Sequence, residues 1–412
     1  MLGLTLRQAH RDRLDCNPFM NTDFLQKELD DLSEQGLYRS LRCVDGEQGP
    51  TLLLNGREVI NFSSNNYLGL ANHPLLCAAA KQAIDRYGCG SAASRLISGN
   101  MTLHEELEAK LARFKSTEAA LVFNSGFQAN IGILSTLTGA GDVIVSDALN
   151  HASIIDGCRL SKAKTVVYAH TDLDELEAAL KQAAAARRRL IVTETIFSMD
   201  GDEAPLLEIV ELAEKYHAMV MVDEAHGTGV CGSNGAGVVA KLGLSSRVAV
   251  QMGTLGKALG GFGAYVAGSR ALCDLLINRC RSFIFTTSLP PAVMAMALAA
   301  LELVQSEPQR RDALRLHCRQ LKLGLSRLGF ELGRSESPIL PLIVGDASRC
   351  MALSAALLAH GVFAQGIRPP TVPPGTSRLR ITVMATHSDE QIATALQVFE
   401  EVIRQWPRTT TS

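Results

Sequence analysis

Lys257 is the residue whose position most suggests chemistry. It follows the apolar run Val248–Val250 and a turn rich in glycine, in VAVQMGTLGKALGGFGAYVAG (248–268). Burial lowers the pKa of an amine because it disfavours the charged form, and a neutral lysine amine attacks carbonyl groups. The stretch therefore suggests Schiff-base chemistry, with a solvated loop lysine as the plainer interpretation. A phosphate-binding loop is excluded because it needs Gly and Ser or Thr where this chain has Gln251 and Ala258.

Asp223 and His226 follow a second apolar run, Met219–Val222. A carboxylate at the end of a central strand can pair with the cationic nitrogen of a heterocycle, ligate a metal or cap a turn. Glu224 is the only further oxygen ligand close by, which is too few for a typical magnesium site. We therefore expect no metal here.

Two other predicted strands also end in polar residues. Asn124–Gln128 lies between a strand and a helix, where free backbone N–H groups and the helix dipole attract anions. His151 follows the run Val143–Val145 and would place an imidazole at the same edge, although a lone histidine is more often structural. Near the C-terminus, Arg378 and Arg380 flank one residue and share a face of a predicted strand, either as a solvated edge or as a carboxylate site.

Composition indicates a globular protein that acts on a small molecule. The chain has 412 residues, and its 40 basic and 42 acidic side chains give a net charge of −2, which offers no electrostatic reason to bind nucleic acid or a membrane. The 10 cysteines are scattered without a Cys-x-x-Cys pair, which argues against a disulfide framework or a zinc site. The segment Met1–Asp15 lacks the features of a signal peptide, and no apolar run is long enough to span a membrane, so we expect a cytoplasmic protein.

Short apolar runs alternate with helical patterns and predict an α/β fold with a mostly parallel sheet covered by helices on both faces. The predicted strands of this part are Ala119–Phe123, Asp142–Ser146, Lys164–Tyr168, Leu190–Thr195, Met219–Asp223 and Val248–Met252. The predicted helices are Pro74–Tyr87, Leu103–Phe114, Phe127–Leu137, Ser153–Ser161, Leu173–Ala186, Pro205–Tyr216 and Pro291–Gln305. Ligands of such sheets bind beyond the carboxyl ends of the strands.

We predict three regions along the chain. Residues 1–60 form an appendage with an amphipathic helix over Thr22–Arg42 and a hairpin over Thr51–Phe62. Residues 61–305 form the large cofactor-binding α/β domain. Residues 306–412 form a small α+β domain that ends in a polar tail, Arg408–Ser412, expected to be disordered. Its predicted helices and strands are Arg311–Leu328, Ala352–His360, Leu340–Val344 and Ser377–Val383.

These stretches together resemble the α-oxoamine synthases, a family of fold type I pyridoxal-phosphate transferases. Members join an amino acid to an acyl thioester with loss of carbon dioxide. The matching motifs are NFSSNNYLGL (61–70), SRLISGN (94–100), NSGFQAN (124–130), LNHASIIDG (149–157), TETIFSMDGD (193–202), VDEAHGTG (222–229), GTLGKALGG (253–261) and IRPPTVPPGTSRLRITV (367–383). So many motifs in one order are specific for the superfamily, and the likeness runs from about Arg39 to Thr386.

The resemblance implies a role for each candidate residue. Lys257 carries pyridoxal 5'-phosphate as a Schiff base, Asp223 pairs with the ring nitrogen, His226 bonds the ring oxygen, and His151 stacks on the ring and faces the substrate. Further cofactor contacts fall on Ser125, Gly126, Phe127, Ser198 and Thr254, with Thr286 and Thr287 reaching the cofactor of a partner subunit in a homodimer. Substrate contacts fall on Asn65 and Arg380, which hold the amino-acid carboxylate, and on Arg39, Arg368 and Thr371.

The last motif and the segment Pro341–Asp346 favour the branch of the family that uses L-alanine and a pimeloyl thioester in biotin biosynthesis. The donor thiol is coenzyme A or a carrier protein. Alternatives are a ligase that joins glycine to acetyl-coenzyme A, a serine palmitoyltransferase-like enzyme and a non-catalytic partner subunit, which characteristically lacks the lysine. One departure from the family pattern, Ala92-Ala93 in place of two glycines, could narrow a loop and change the accepted substrate.

Overall fold

The computed structural model describes residues 22–404, so the predicted tail Arg408–Ser412 and the segment Met1–Asp15 lie outside the described residues. The chain up to Cys43 is a unit of its own, and its helix α1 (Asp23–Glu34) has no buried side chain. The predicted helix end at Arg42 was wrong, because Gly36 takes a left-handed backbone conformation (φ +66°) soon after Glu34 and ends the helix.

From Val44 onward the chain forms the second unit. Its strands are β1 (Val44–Asp45), β2 (Thr51–Leu54), β3 (Arg57–Asn61), β4 (Ala119–Phe123), β5 (Val143–Asp147), β6 (Lys164–Tyr168), β7 (Arg189–Glu194), β8 (Met219–Asp223), β9 (Val250–Thr254), β10 (Ala264–Gly268), β11 (Ile339–Gly345), β12 (Val362–Phe363), β13 (Gln365–Ile367) and β14 (Ser377–Thr382). The helices are α2 (Pro74–Tyr87), α3 (Thr102–Lys115), α4 (Gly126–Leu137), α5 (Ala152–Ser161), α6 (Leu173–Gln182), α7 (Leu206–Lys215), α8 (Val238–Lys241), α9 (Arg270–Arg279), α10 (Arg281–Ile284), α11 (Pro291–Ser306), α12 (Gln309–Arg327), α13 (Ala347–Ala359) and α14 (Asp389–Arg404), with a π turn at Arg95–Gly99.

The large sheet has seven strands in the spatial order β4-β10-β9-β8-β7-β5-β6. The neighbours from β9 to β6 are parallel, whereas β10 runs antiparallel to both β9 and β4. The predicted mostly parallel sheet is confirmed. Strand β10 was not predicted, and its antiparallel direction cannot be inferred from an apolar run. Because all strands of this sheet except β10 point the same way, their carboxyl ends meet at one edge.

Apolar side chains on both faces hold this sheet in place. Every residue of β4, β5 and β10 is buried. Successive residues alternate between the two faces: Ile191 packs in one apolar cluster, while Leu190 and Val192 pack in the other, against α4. Such burial contributes about 25 cal/mol per Å² of apolar surface, which keeps the strand ends, and the residues that follow them, in fixed places.

Two smaller sheets complete the second unit. The predicted hairpin is confirmed as the antiparallel pair β2–β3, and it belongs to a four-stranded sheet with the order β1-β2-β3-β12, in which β3 and β12 are parallel. A three-stranded antiparallel sheet, β11-β14-β13, carries the C-terminal arginines. This agrees with the predicted smaller α+β part, whereas the boundaries at residues 60 and 305 stay predictions.

Candidate active site

Asp223 ends β8 in the middle of the large sheet and is 5% exposed. Its two carboxylate oxygens each accept a hydrogen bond, from the Asn130 side-chain amide of α4 and from the Ala225 backbone N–H, both at 2.8 Å. Donors on both oxygens stabilise the ionised form of a buried carboxyl. Asp223 therefore carries a negative charge, and its two hydrogen bonds hold it at the carboxyl edge of the sheet.

Lys257 lies in the turn between β9 and β10, and its Nζ is 2.9 Å from the Nε2 atom of His226. Burial lowers the pKa of this lysine to about 8, while the charge of Asp223 acts in the opposite direction. The pKa of His226 is lowered well below its usual 6.5, first by burial and then by the charge of Lys257. The site therefore holds a neutral imidazole beside an amine that loses its proton easily.

A chain of hydrogen bonds extends from Lys257 to the C-terminal sheet. The Tyr67 hydroxyl donates to Asn65 Oδ1 at 3.1 Å and lies 2.7 Å from His226 Nδ1. Because Tyr67 has one proton to donate, it accepts from His226 Nδ1–H, which leaves the lone pair of Nε2 facing Lys257. Asn65 Oδ1 also accepts from Arg380 Nη1 at 3.1 Å. These contacts bring four distant parts of the sequence to one place.

Arg378 and Arg380 share a face of β14 and are both buried, but they have different partners. Arg380 donates from Nε to the Ser198 carbonyl at 2.6 Å, while Arg378 pairs with Asp200. The loop after β7 therefore contacts both arginines. Arg380 lies beside Asn65 and Arg378 is neutralised, so only Arg380 is placed for a carboxylate ligand.

His151 caps the N-terminus of α5 and connects to Asp223 through two polar side chains. The Ser153 backbone N–H donates to His151 Nδ1 at 3.2 Å, so this nitrogen carries a lone pair and Nε2 carries the proton. Ser153 Oγ lies 2.8 Å from the same nitrogen and accepts from the Asn130 amide. His151 is exposed, but neighbouring atoms partly desolvate its ring and lower its pKa, and the two contacts with Ser153 fix the orientation of the ring.

The N-terminus of α4 offers a site for an anion. Ser125 caps the helix by accepting the Gln128 N–H at 3.2 Å. The N–H groups of Gly126 and Phe127, at the first two positions, have no acceptor within the helix. A phosphate can use them and the positive end of the helix dipole. Thr254 Oγ1, at the end of β9, donates to the Gly263 carbonyl at 3.0 Å and fixes the turn that carries Lys257.

The remaining predicted residues lie in several places. Asn124, next to Ser125, donates to Thr286 Oγ1 and the Thr287 carbonyl at 3.2 and 2.7 Å. Thr371 is exposed in the turn after β13, where its N–H donates to the Arg368 carbonyl at 3.2 Å. Arg39 belongs to the N-terminal unit, so its part in a site stays a prediction.

Three residues that position the site were not among the predicted ones: Asn130, Ser153 and Tyr67. Asn130 is a buried polar residue of α4, but its contact with Asp223 joins residues far apart in the chain. Ser153 lies within the motif at 149–157, but its position there indicates only the start of a helix. Tyr67 lies in the motif at 61–70, but nothing in the sequence indicated its contact with His226, which joins residues far apart in the chain.

These residues fit pyridoxal phosphate by their chemistry. The site contains an amine with a lowered pKa, an ionised carboxylate, two neutral imidazoles and free N–H groups at a helix N-terminus. Such groups match an aldehyde, a ring nitrogen, a flat ring and a phosphate. A cleft of about 440 Å³ opens beside Lys257 and Asn65 and leaves room for a substrate.

Known proteins share both the sequence and the fold. The sequence profile of the family described as aminotransferase class I and II matches residues 57–399. A protein of Geobacter sulfurreducens named 8-amino-7-oxononanoate synthase is 55% identical over 378 residues, which are 91% of this chain and 96% of that protein.

Two solved structures are similar as well. A serine palmitoyltransferase of S. paucimobilis, solved with bound PLP and myriocin, has a TM-score of 0.88 and 34% identity and covers 93% of this chain and 98% of its own. An 8-amino-7-oxononanoate synthase of Francisella tularensis has a TM-score of 0.74 and 29% identity, with coverages of 84% and 98%. Among residues 22–404, no helix combines the length and apolarity that a membrane crossing needs.

Proposed function

Because the chain belongs to the class I and II aminotransferase family of pyridoxal-phosphate enzymes, we propose that it is an α-oxoamine synthase that condenses L-alanine with a pimeloyl thioester. The products are 8-amino-7-oxononanoate, carbon dioxide and the free thiol, a step of biotin biosynthesis. The observation that carries the reaction class is the half-buried Lys257 amine, 2.9 Å from the neutral His226 ring and influenced by the charge of Asp223. The 55% identical relative of the same name supports the choice of substrates.

Lys257 and Asp223 hold the cofactor in this proposal. Pyridoxal phosphate, when bound, supplies an electron sink for the α-carbon of the amino acid. Asp223 keeps a proton on the ring nitrogen by charge, because Asn130 and Ala225 hold it ionised. His151 lies against the ring, and the N–H groups of Gly126 and Phe127 bind the phosphate.

Lys257 is also the base that moves the α-proton. Its pKa of about 8 leaves a substantial neutral fraction near neutral pH, whereas an ordinary lysine would be almost fully protonated. The Nε2 lone pair of His226 receives a hydrogen bond from this amine and orients it. His151, whose proton lies on Nε2, then donates to the thioester oxygen as negative charge develops there, because the single N–H of neutral His226 is already donated to Tyr67.

Arg380 and Asn65 bind the amino-acid carboxylate. Arg380 is 8% exposed and is oriented by the Ser198 carbonyl and by Asn65 Oδ1. A charged donor that is already oriented loses little entropy when its ligand binds. Arg39, Arg368 and Thr371 are proposed to bind the acyl donor.

A panel of substrate pairs tests the substrate assignment. We expect thiol release to be fastest with L-alanine and pimeloyl thioester, offered both as coenzyme A and as carrier-protein thioesters. The cleft of about 440 Å³ beside Lys257, lined in part by Leu52, Val44 and Phe363, has room for an acyl chain longer than an acetyl group. Faster turnover with glycine and acetyl-coenzyme A, or with serine and a long uncharged acyl chain, would reassign the enzyme within the family.

The protein acts as a homodimer in this proposal, in the cytoplasm. The π turn at Arg95–Gly99 exposes Leu96 and Ile97, which are 51% and 82% accessible, and Phe285 nearby is 71% accessible. Exposed apolar side chains grouped near a site are typical of a subunit interface. Such an interface would bring Thr286 and Thr287 to the cofactor of the partner subunit.

Light scattering of the wild type and of Ile97→Asp tests the homodimer. We expect the mass of two chains for the wild type and a shift toward one chain for the variant. Leu323→Asp, on the exposed face of α12, is the matched control and keeps the wild-type mass. A wild-type protein with the mass of a single chain contradicts the dimer.

A further inference from the structure

A second carboxyl group lies beside Asp223. Glu194 is the last residue of β7, and in the register of the sheet it is the direct partner of Asp223 on β8. Val192 and Met221, two residues earlier on each strand, pack in the same apolar cluster, so Glu194 and Asp223 point to the same face. Directly opposed side chains have Cβ atoms about 5 Å apart. Two carboxyl groups therefore form the floor of the site.

The two carboxyl groups have different surroundings. Both oxygens of Asp223 accept hydrogen bonds from N–H donors. Glu194 is 1% exposed, and its Oε1 atom has no hydrogen-bond partner. Neighbouring buried carboxylates repel each other, so the one with an oxygen atom left without a donor keeps its proton. Asp223 is the ionised member of the pair.

Electrostatics agrees with this division. Burial, and next the charge of Asp223, raise the pKa of Glu194 well above its usual 4.5. Lys257 and the backbone N–H groups of His151 and Ser198 act in the opposite direction but are outweighed. The same neighbours show that Glu194 lies among the parts of the chain that form the site.

We propose that Glu194 is a further residue of the cofactor site, held as an uncharged carboxylic acid that donates a hydrogen bond to an oxygen acceptor of the bound cofactor. Asp223 is then the single negative charge of the pair. A buried donor or acceptor without a partner is costly, and a ligand that supplies the partner removes that cost. The inference rests on the proposed cofactor site and gives a role to Glu194, which lies in the motif at 193–202 but was not among the predicted site residues.

The first test measures the affinity of the apoenzyme for pyridoxal phosphate. Glu194→Gln keeps the size, the neutrality and an N–H donor, so we expect a dissociation constant within about twofold of the wild type. Glu194→Ala removes the donor, and we expect it to weaken binding about tenfold. Equal affinity in wild type and Glu194→Ala would mean that Glu194 only fills the core.

The second test titrates the absorption band of the bound cofactor with pH, at saturating pyridoxal phosphate. Removing a nearby negative charge destabilises a protonated group, so Asp223→Asn should lower the pKa of this band by about one unit or more. Glu194→Gln should leave the pKa unchanged, because it replaces one neutral group by another. A fall in Glu194→Gln like that in Asp223→Asn would show an ionised Glu194 and overturn the proposal.

These outcomes do not depend on catalysis. Neither readout needs alanine or a thioester, so a wrong substrate assignment leaves both tests valid, and a failed test leaves the substrate assignment intact. If Glu194→Ala does not fold, the titration of Glu194→Gln still decides, since circular dichroism can verify that this isosteric variant is folded.

Discussion

At the scale of single residues, the central observation is the lowered pKa of Lys257. The neutral amine is the form that reacts with an aldehyde, and its fraction rises with pH through the pKa, about 8. We expect the rate at which the apoenzyme incorporates pyridoxal phosphate to rise with a midpoint near that pH, as followed by absorbance. A midpoint near the usual lysine value of 10.5 would contradict the effect of burial. Borohydride reduction should label Lys257, and Lys257→Ala should take up no label.

The charge of Asp223 gives a second prediction at this scale. Asp223→Asn keeps the shape but loses the charge that holds a proton on the ring nitrogen. We expect exchange of the α-proton of alanine to fall by about 100-fold or more at saturating cofactor. Asp346→Asn is the matched control, because it makes the same change at the N-cap of α13, where Asn caps as well as Asp. An unchanged exchange rate in Asp223→Asn would leave Asp223 as a turn residue.

At the scale of single elements, the loop before the π turn carries backbone strain. Ala92 has a left-handed backbone conformation (φ +55°), which costs a residue with a Cβ atom about 1 kcal/mol relative to glycine. We expect Ala92→Gly to raise the free energy of unfolding by about that amount in denaturant titrations. Ala93→Gly is the matched control: Ala93 has no positive φ, so the change only adds freedom to the unfolded chain and should not stabilise.

A histidine connects the loops after β5 and β7. His170 lies 2.9 Å from Asp147 and 2.8 Å from Asp202. Burial alone lowers the pKa of His170, but both aspartates outweigh it and raise the pKa to about 10. The folded state therefore binds this proton more tightly than the unfolded state. The resulting stability is complete below the usual pKa of 6.5 and is lost as the pH rises through about 10.

His170→Gln tests this connection. We expect the variant to be less stable than the wild type by about 2 kcal/mol below pH 6.5 and the difference to shrink toward pH 10, measured by urea unfolding. His360→Gln, at an exposed position after α13, is the control and should show no such pH dependence. A difference that is constant with pH would mean that His170 contributes packing alone.

At the scale of the whole molecule, the sequence predicted what local pattern determines. Asp223 and the turn of Lys257 were found because each follows an apolar strand, and six of the seven strands of the large sheet, all except β10, were placed within a few residues of their bounds. The direction of β10 and the pair β3–β12 could not be predicted, because they depend on which strands meet in space. Asn130, Tyr67 and Glu194 were missed for the same reason: each acts through a contact between distant parts of the chain.

The pair β3–β12 also constrains how the chain is assembled. Ile60 of β3 pairs with Val362 of β12, so the hairpin has an open edge until Val362 has been synthesised. Unpaired strand edges attract other chains, and contacts between distant residues form slowly. A nascent chain that has not reached Val362 therefore has an unpaired edge on β3 that can pair with another chain. A truncated protein that ends before Val362 keeps this edge exposed. Pairing with β12 thus protects the edge of a hairpin that lies about 300 residues earlier in the chain.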